Sequence, residues 1–246
     1  MQMQISGALE LVSQLRDELP VAAGPVSLAR RHAGLMIIDE QRGFATVGGG
    51  ALAPAEPNAQ IARMIAETDR LSRSFVDRDL PIAVFLDYHH PDRPEPPYPP
   101  HCIAGSGEED LVPELQWLAD SPRVTLMRAD CINDFVGAID LATGRNQIVE
   151  WVNDQLLDTI VVVGICTDIC VAEFVSTMLS ARNHRMMPRL NDVVVYEPGC
   201  ATYDLPKERA ISLGLPATAA HPQELAHHFG LYLMASRGAC LASQII

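Results

Sequence analysis

The sequence predicts an α/β fold, a mostly parallel sheet covered by helices on both faces. Three observations lead there. Short continuous apolar runs, expected of strands buried on both sides, alternate with segments of helical periodicity. The main runs close on chemically active side chains, and open parallel sheets bind ligands beyond the carboxyl ends of their strands. With 48% apolar residues in 246, the chain can bury a sizeable core in one main domain.

Residues 1–31 read as an N-terminal helical appendage, with Leu9, Leu11, Val12, Leu15 and Leu19 at helical spacing and stops near Pro20 and Gly24-Pro25. The main domain then occupies 32–246. Residues 34–39 are an apolar run ending on Asp39, and 59–77 repeat apolar residues with helical period. Residues 81–87 form a second run ending on Asp87. The stretch 88–110 is rich in proline and histidine and long for a compact domain, which points to function. Strands at 124–128, 160–164 and 192–196 and helices at 146–157, 171–183 and 222–233 complete the pattern.

Composition excludes several classes. A net charge of −13 argues against a nucleic-acid partner, whose phosphates would be repelled. No run reaches the roughly 18 apolar residues of a membrane span, and no basic stretch followed by an apolar one opens the chain. Six cysteines without a short regular framework suggest free thiols in a reducing compartment, so the expected location is the cytoplasm.

Cys170 follows the 160–164 strand through the turn broken by Gly164 and opens a helix. Backbone N–H groups at a helix N-terminus favour a thiolate, the form that attacks a carbonyl carbon. Cys166 lies nearer the strand end, and its N–H, with that of Cys170, is placed to form an oxyanion hole. Asp39, surrounded by Leu, Ile and Phe44, should have a raised pKa and suits the shuttling of a proton from thiol to leaving amine. Asp87 and His89, two residues apart on an extended segment, face one side, and His101 can close a metal site. An acid with two imidazoles suits one divalent ion, Zn, Fe or Mn, with Glu95 and His90 as further candidate ligands. Phe44, Tyr98 and Phe135 are candidate pocket walls; ordinary packing would use them equally well.

The stretches 38–44 (IDEQRGF), 89–92 (HHPD), 97–105 (PYPPHCIAG), 130–137 (DCINDFVG), 161–171 (VVVGICTDICV) and 220–225 (AHPQEL) together resemble the nicotinamidases of the isochorismatase-like cysteine hydrolase superfamily, most closely the plant-type branch. The resemblance spans roughly 33–235. It implies a three-layer α/β/α fold, an Asp–Lys–Cys triad, a divalent metal held by an acid and histidines, and a peptide bond before Cys166 that is commonly cis. By position, Cys170 is the nucleophile, Asp39 the acid/base, and Asp87, His89 and His101 the metal ligands. Phe44 and Tyr98 line the ring pocket. A small amide is the implied partner, and a homo-oligomer the implied assembly.

One position departs from the family. Its lysine falls six residues before the aromatic that is Phe135 here, at Ala129. Of 18 basic residues one is lysine, Lys207, far along the chain. Arg128 is the adjacent cation, although on a strand its side chain points opposite to residue 129. It could hold Asp39 and lower the thiol pKa, but it cannot donate a proton near neutral pH. The expected reaction is hydrolysis of nicotinamide to nicotinate and ammonia. A related hydrolase of another small amide or a carbamoyl compound, and a catalytically weak ligand-binding homologue, are the alternatives that Ala129 favours.

Overall fold

The computed structural model describes residues 12–93 and 95–246. A seven-stranded sheet runs through the molecule in the order β1-β7-β6-β5-β2-β3-β4, with every neighbouring pair parallel. Its strands are β1 (Gly24–Val26), β2 (Ala33–Ile38), β3 (Ile82–Asp87), β4 (Val124–Ala129), β5 (Thr159–Ile165), β6 (Asp192–Ala201) and β7 (Cys240–Ile245). Every residue of β2, β3 and β5 is buried, which explains their unbroken apolar sequences: a central parallel strand has helices on both sides and no wet face.

Alternate residues of these strands enter two separate cores. Leu35, Ile37, Val84, Val161 and Val163 pack with Ile61, Met64, Leu71 and Phe75 of helix α3 (Ala59–Asp77) and with Leu115 and Leu118 of a 3-10 helix (Pro113–Asp120). Met36, Ile38, Phe85, Ile160 and Val162 pack on the other face with Trp151 of α5 (Gln147–Asp154), Phe174 of α6 (Cys170–Asn183) and Leu231 of α8 (Gln223–Ser236). Three layers result, as expected. The remaining helices are short: α1 over 12–18, α2 (Arg42–Ala45), α4 (Asp134–Gly137) and α7 (Lys207–Ser212).

Within the 1–31 segment, 12–18 are helical and Gly24–Val26 extend the sheet beside β7, while the first eleven residues lie outside the described part. Among the described residues no helix is long and apolar enough to cross a membrane.

The chain leaves β2 for α3 and β3 in one direction and leaves β5 for α6 and β6 in the other. Those two strands are neighbours, and their two connecting helices lie on opposite faces, so a crevice opens at their carboxyl ends. Gly164 is required there. It adopts φ +131°, and a Cβ on it would lie 2.1 Å from the Ile38 carbonyl oxygen of β2.

Candidate active site

Asp39 directly follows β2, with φ +52°, and is 3% exposed. Cys170 starts α6 on the far side of the crevice, and the thiol and the Asp39 carboxyl are close enough to interact. The peptide bond between Ile165 and Cys166 is cis, as the resemblance implies. Thr167, Ile169 and Val171 donate their N–H groups to the carbonyls of Ala201, Cys166 and Cys166. Among the described residues the N–H groups of Cys166 and Cys170 form no such bond to a loop or turn carbonyl, which suits them to an oxyanion.

The groups around Cys170 oppose its thiolate. Burial is the largest influence pushing the Cys170 thiol up, followed by the charges of Asp39, Cys166 and Asp134. The Cys166 thiol is also raised, to about 12, chiefly by burial. Asp39 is held well above the usual carboxylate range by burial and by its neighbours Asp134 and Asp87, as the apolar sequence around it suggests.

Arg128 does not join them. Its guanidinium lies 4.3 Å from the centre of the Tyr88 ring, because residues 128 and 129 of β4 point to opposite sides. The expectation of Arg128 as an electrostatic stand-in for lysine is therefore corrected: it is a stacking residue at the sheet edge. Lys207 begins α7, well away from β4 in the chain.

Asp87, His89 and His101 converge as expected, with ligand atoms all within 4.8 Å of one another. Asp87 Oδ1 lies 2.8 Å from His89 Nε2, and Asp87 Oδ2 lies 3.0 Å from His101 Nε2. Yet neither Asp87 Oδ1 nor His89 Nε2 has a partner aligned for a hydrogen bond. Buried polar atoms that approach closely without such alignment are what lone pairs aimed at a shared cation produce. His101 Nδ1 sits 2.7 Å from the Pro99 carbonyl oxygen, so it carries the proton and leaves Nε2 with its lone pair. The residues thus fit one divalent ion. Glu95 Oε2 stays 3.7 Å from both imidazole Nε2 atoms, while its Oε1 accepts the Ile132 N–H at 2.7 Å. It borders the cluster and ties it to the loop after β4. His90 is exposed and packs edge-on against Tyr88.

Two of the three aromatics sit over this cluster. Phe44 lies 5.6 Å and Tyr98 6.1 Å from His101, ring centre to ring centre. Burial, then the Cys170 and Cys166 thiols, raise the Tyr98 phenol. Phe135 instead belongs to the core that includes Phe85 and Met127.

Several site residues escaped sequence reasoning. The Gln41 side chain accepts the Asp87 N–H at 2.7 Å and donates to the Asp87 carbonyl at 2.8 Å, fixing the end of β3. Asp134 is 1% exposed, and burial, then Asp87 and Glu95, hold it well above the carboxylate range. Asp168, in the nucleophile turn, accepts from Thr202 Oγ1 at 2.7 Å and pairs with His221 Nε2 at 2.8 Å. An acid shortly after a glycine-broken strand end was the only available signal for Asp168. Nothing in spacing marked Asp134.

Residues 33–239 match the family model described as "Isochorismatase domain". The chain is 49% identical over 237 residues to a protein named Nicotinamidase 1 from Arabidopsis thaliana, covering 96% of each. Among solved structures it resembles a nicotinamidase from Bacillus subtilis, with TM-score 0.64 and 20% identity over 86% of this chain and 99% of that one. It also resembles a pyrazinamidase of Pyrococcus horikoshii in complex with zinc, with TM-score 0.61 and 16% identity over 86% and 98%. An N-carbamoylsarcosine amidase from Thermoplasma acidophilum aligns with TM-score 0.55 and 18% identity over 78% and 96%. At these identities the structural likenesses show a shared fold.

Proposed function

The chain belongs to the isochorismatase-domain family, and on that premise we propose that it is a metal-dependent cysteine amidohydrolase that converts nicotinamide to nicotinate and ammonia. The observation that carries this reading is the convergence at one crevice of the Cys170 thiol, the Asp39 carboxyl and the Asp87/His89/His101 cluster.

Asp39 takes the Cys170 proton, and the sulfur attacks the amide carbon. The N–H groups of Cys166 and Cys170 hold the developing oxyanion. The proton passes from Asp39 to the amide nitrogen, the C–N bond breaks, and ammonia leaves a thioester on Cys170. Asp39 then takes a proton from water, whose oxygen attacks the thioester carbon and releases nicotinate and the thiol. A divalent ion held by Asp87, His89 and His101 would supply a Lewis acid able to hold the pyridine nitrogen. Phe44 and Tyr98 border the space above that cluster and suit a flat ring.

Ala129, at the position where the family carries its lysine, supports a second reading, hydrolysis of another small amide or a carbamoyl compound. Nicotinamide, pyrazinamide and ureido compounds, assayed for ammonia release with Cys170→Ala as the blank, separate the two. Cys170-dependent release from nicotinamide is the expected result, and release from ureido compounds alone would replace the first reading with the second. We further propose a cytoplasmic homo-oligomer, which gel filtration with light scattering would test for assembly.

A further inference from the structure

Two consecutive residues of the turn between Cys166 and Cys170 are pressed against α8, and the proposed reaction gives that contact no task. His227 of α8 places Nδ1 2.8 Å from the Thr167 hydroxyl oxygen. Three residues on, Gly230 lies so close to the turn that a Cβ would meet the Asp168 Cα at 2.7 Å. Residues i and i+3 share one helix face, so α8 presents a histidine and a bare backbone to Thr167 and Asp168 together. Neither Thr167 nor His227 is more than 7% exposed. His227 Nε2 is buried without an aligned hydrogen-bond partner. The Glu197 carboxylate of β6 lies 3.6 Å from it and accepts from Arg63 of α3 at 2.9 Å. A negative charge on that side favours the proton on Nε2, which leaves the Nδ1 lone pair to accept the Thr167 hydroxyl.

The backbone carries this contact to the reacting groups. The Thr167 N–H donates to the Ala201 carbonyl at 2.8 Å. The carbonyl of the same peptide, that of Cys166, accepts the N–H groups of Ile169 at 3.0 Å and Val171 at 3.1 Å, on either side of Cys170. We propose that His227, through the Thr167 hydroxyl, is a positioning residue that fixes this peptide plane, and with it the Cys170 sulfur relative to the Cys166 N–H. The inference rests on the reading of Cys170 as nucleophile.

Valine keeps the shape of threonine without its hydroxyl, and serine keeps the hydroxyl without the methyl. With zinc-loaded protein and nicotinamide, Thr167→Val should lower kcat by about 10- to 100-fold with KM nearly unchanged, whereas Thr167→Ser should stay within about threefold. A packing role predicts the reverse order. His227→Leu should match the valine variant, and His227→Asn, which offers an acceptor where Nδ1 lies, should recover most of the loss. In the Thr167→Val background, His227→Leu should add little, because the two side chains act as a unit. Alkylation of Cys170 by iodoacetamide reads the turn without turnover. Freeing the turn from α8 exposes a thiol whose ionisation burial chiefly opposes, so the valine variant should react at least about threefold faster and the serine variant should not. Cys102 and Cys200, both fully buried, must stay unmodified in each variant, which excludes unfolding as the cause. Equal kcat and equal alkylation across the unmodified protein and both Thr167 variants, or a serine variant slower in turnover than the valine one, would overturn the positioning role. If the valine variant does not fold, the His227→Leu and His227→Asn pair gives the same comparison. Nicotinate formed at one rate by all variants leaves the nicotinamidase reading and removes the positioning role. The serine–valine order in alkylation without any nicotinate does the reverse.

Discussion

At the scale of single residues, the proposed reaction gives Cys166 and Cys170 different duties although both thiols are raised by burial. In the proposed reaction Cys170 acts through sulfur and Cys166 through its backbone N–H, which any residue but proline provides. Cys170→Ala should therefore reduce ammonia release from nicotinamide to the blank. Cys166→Ala should lose no more than about tenfold, roughly 1.4 kcal/mol of barrier. Equal losses in both variants would assign Cys166 a chemical role. Asp39→Asn keeps the shape but cannot move the proton, and a fall of roughly 10²–10⁴-fold in kcat is expected. The placement of these three residues was legible in the sequence because each stands at or shortly after a strand end, where a parallel sheet presents its ligands. The role first expected of Arg128 failed for an equally simple reason. Side chains alternate along a strand, and residue 129, not 128, shares the Asp87 side.

At the scale of elements, the nucleophile turn is held by a clamp that crosses three segments. Asp168 of the turn pairs with His221, His221 Nδ1 bonds the Tyr203 carbonyl at 2.9 Å, and the two rings stack 3.8 Å apart. Burial alone would lower His221, but the hydrogen bond and charge of Asp168 outweigh it and the pKa is raised. Burial alone would raise Asp168, but His221 and Thr202 outweigh it and the pKa is lowered. The signs set a pH window. The His221 contribution is complete below its unfolded value near 6.5 and fades as pH rises through its higher folded value. The Asp168 contribution is complete above its unfolded value near 3.9 and fades as pH falls through its lower folded value. His221→Gln should thus destabilise the protein most near pH 5–6, by roughly 1.5–3 kcal/mol, and less above pH 8. A denaturant-unfolding difference that did not vary with pH would remove the charged pair. A second element-scale test concerns the seat of α4: Gly137→Ala should cost about 1–3 kcal/mol of stability, because the new methyl meets Ala129 at 2.5 Å in the absence of movement. The long buried strands and α3 were readable from apolar pattern alone. Strands β1 (GPV) and β7 (CLASQI) were not, since an edge strand is half wet and lacks the continuous apolar run. The turns of α2 and α4 are too short to show a helical period, and Asp134 was hidden with them.

At the scale of the whole molecule, the Asp87/His89/His101 cluster joins the end of a central strand to the long loop that follows it. Asp87 ends β3, whereas His89 and His101 come from the irregular stretch that follows, linked there by a short parallel bridge between His89 and Ile103. An ion bound by the three should stabilise the folded chain, by about 2.7 kcal/mol at a hundred times its Kd. For a chain of this length that corresponds to a rise of roughly 5–10 °C in Tm. Protons compete for the same lone pairs. In the chain without an ion the nearby Asp87 carboxylate raises His89 against its burial, and the same acid with the Pro99 carbonyl outweighs burial at His101. Both imidazoles therefore hold protons at pH values above their ordinary 6.5. Metal stabilisation should be full at pH 8 and disappear as pH falls through that region, because the ion must displace those protons. Scanning calorimetry of chelated and zinc-loaded protein at pH 6 and pH 8 measures this, with nicotinate formation followed on the same samples. Added zinc should recover the lost Tm at pH 6 and change little at pH 8, where the site is already filled. A chelated sample, verified metal-free by elemental analysis, that kept its Tm and its activity at pH 8 would deny the cluster both its structural and its substrate-holding part.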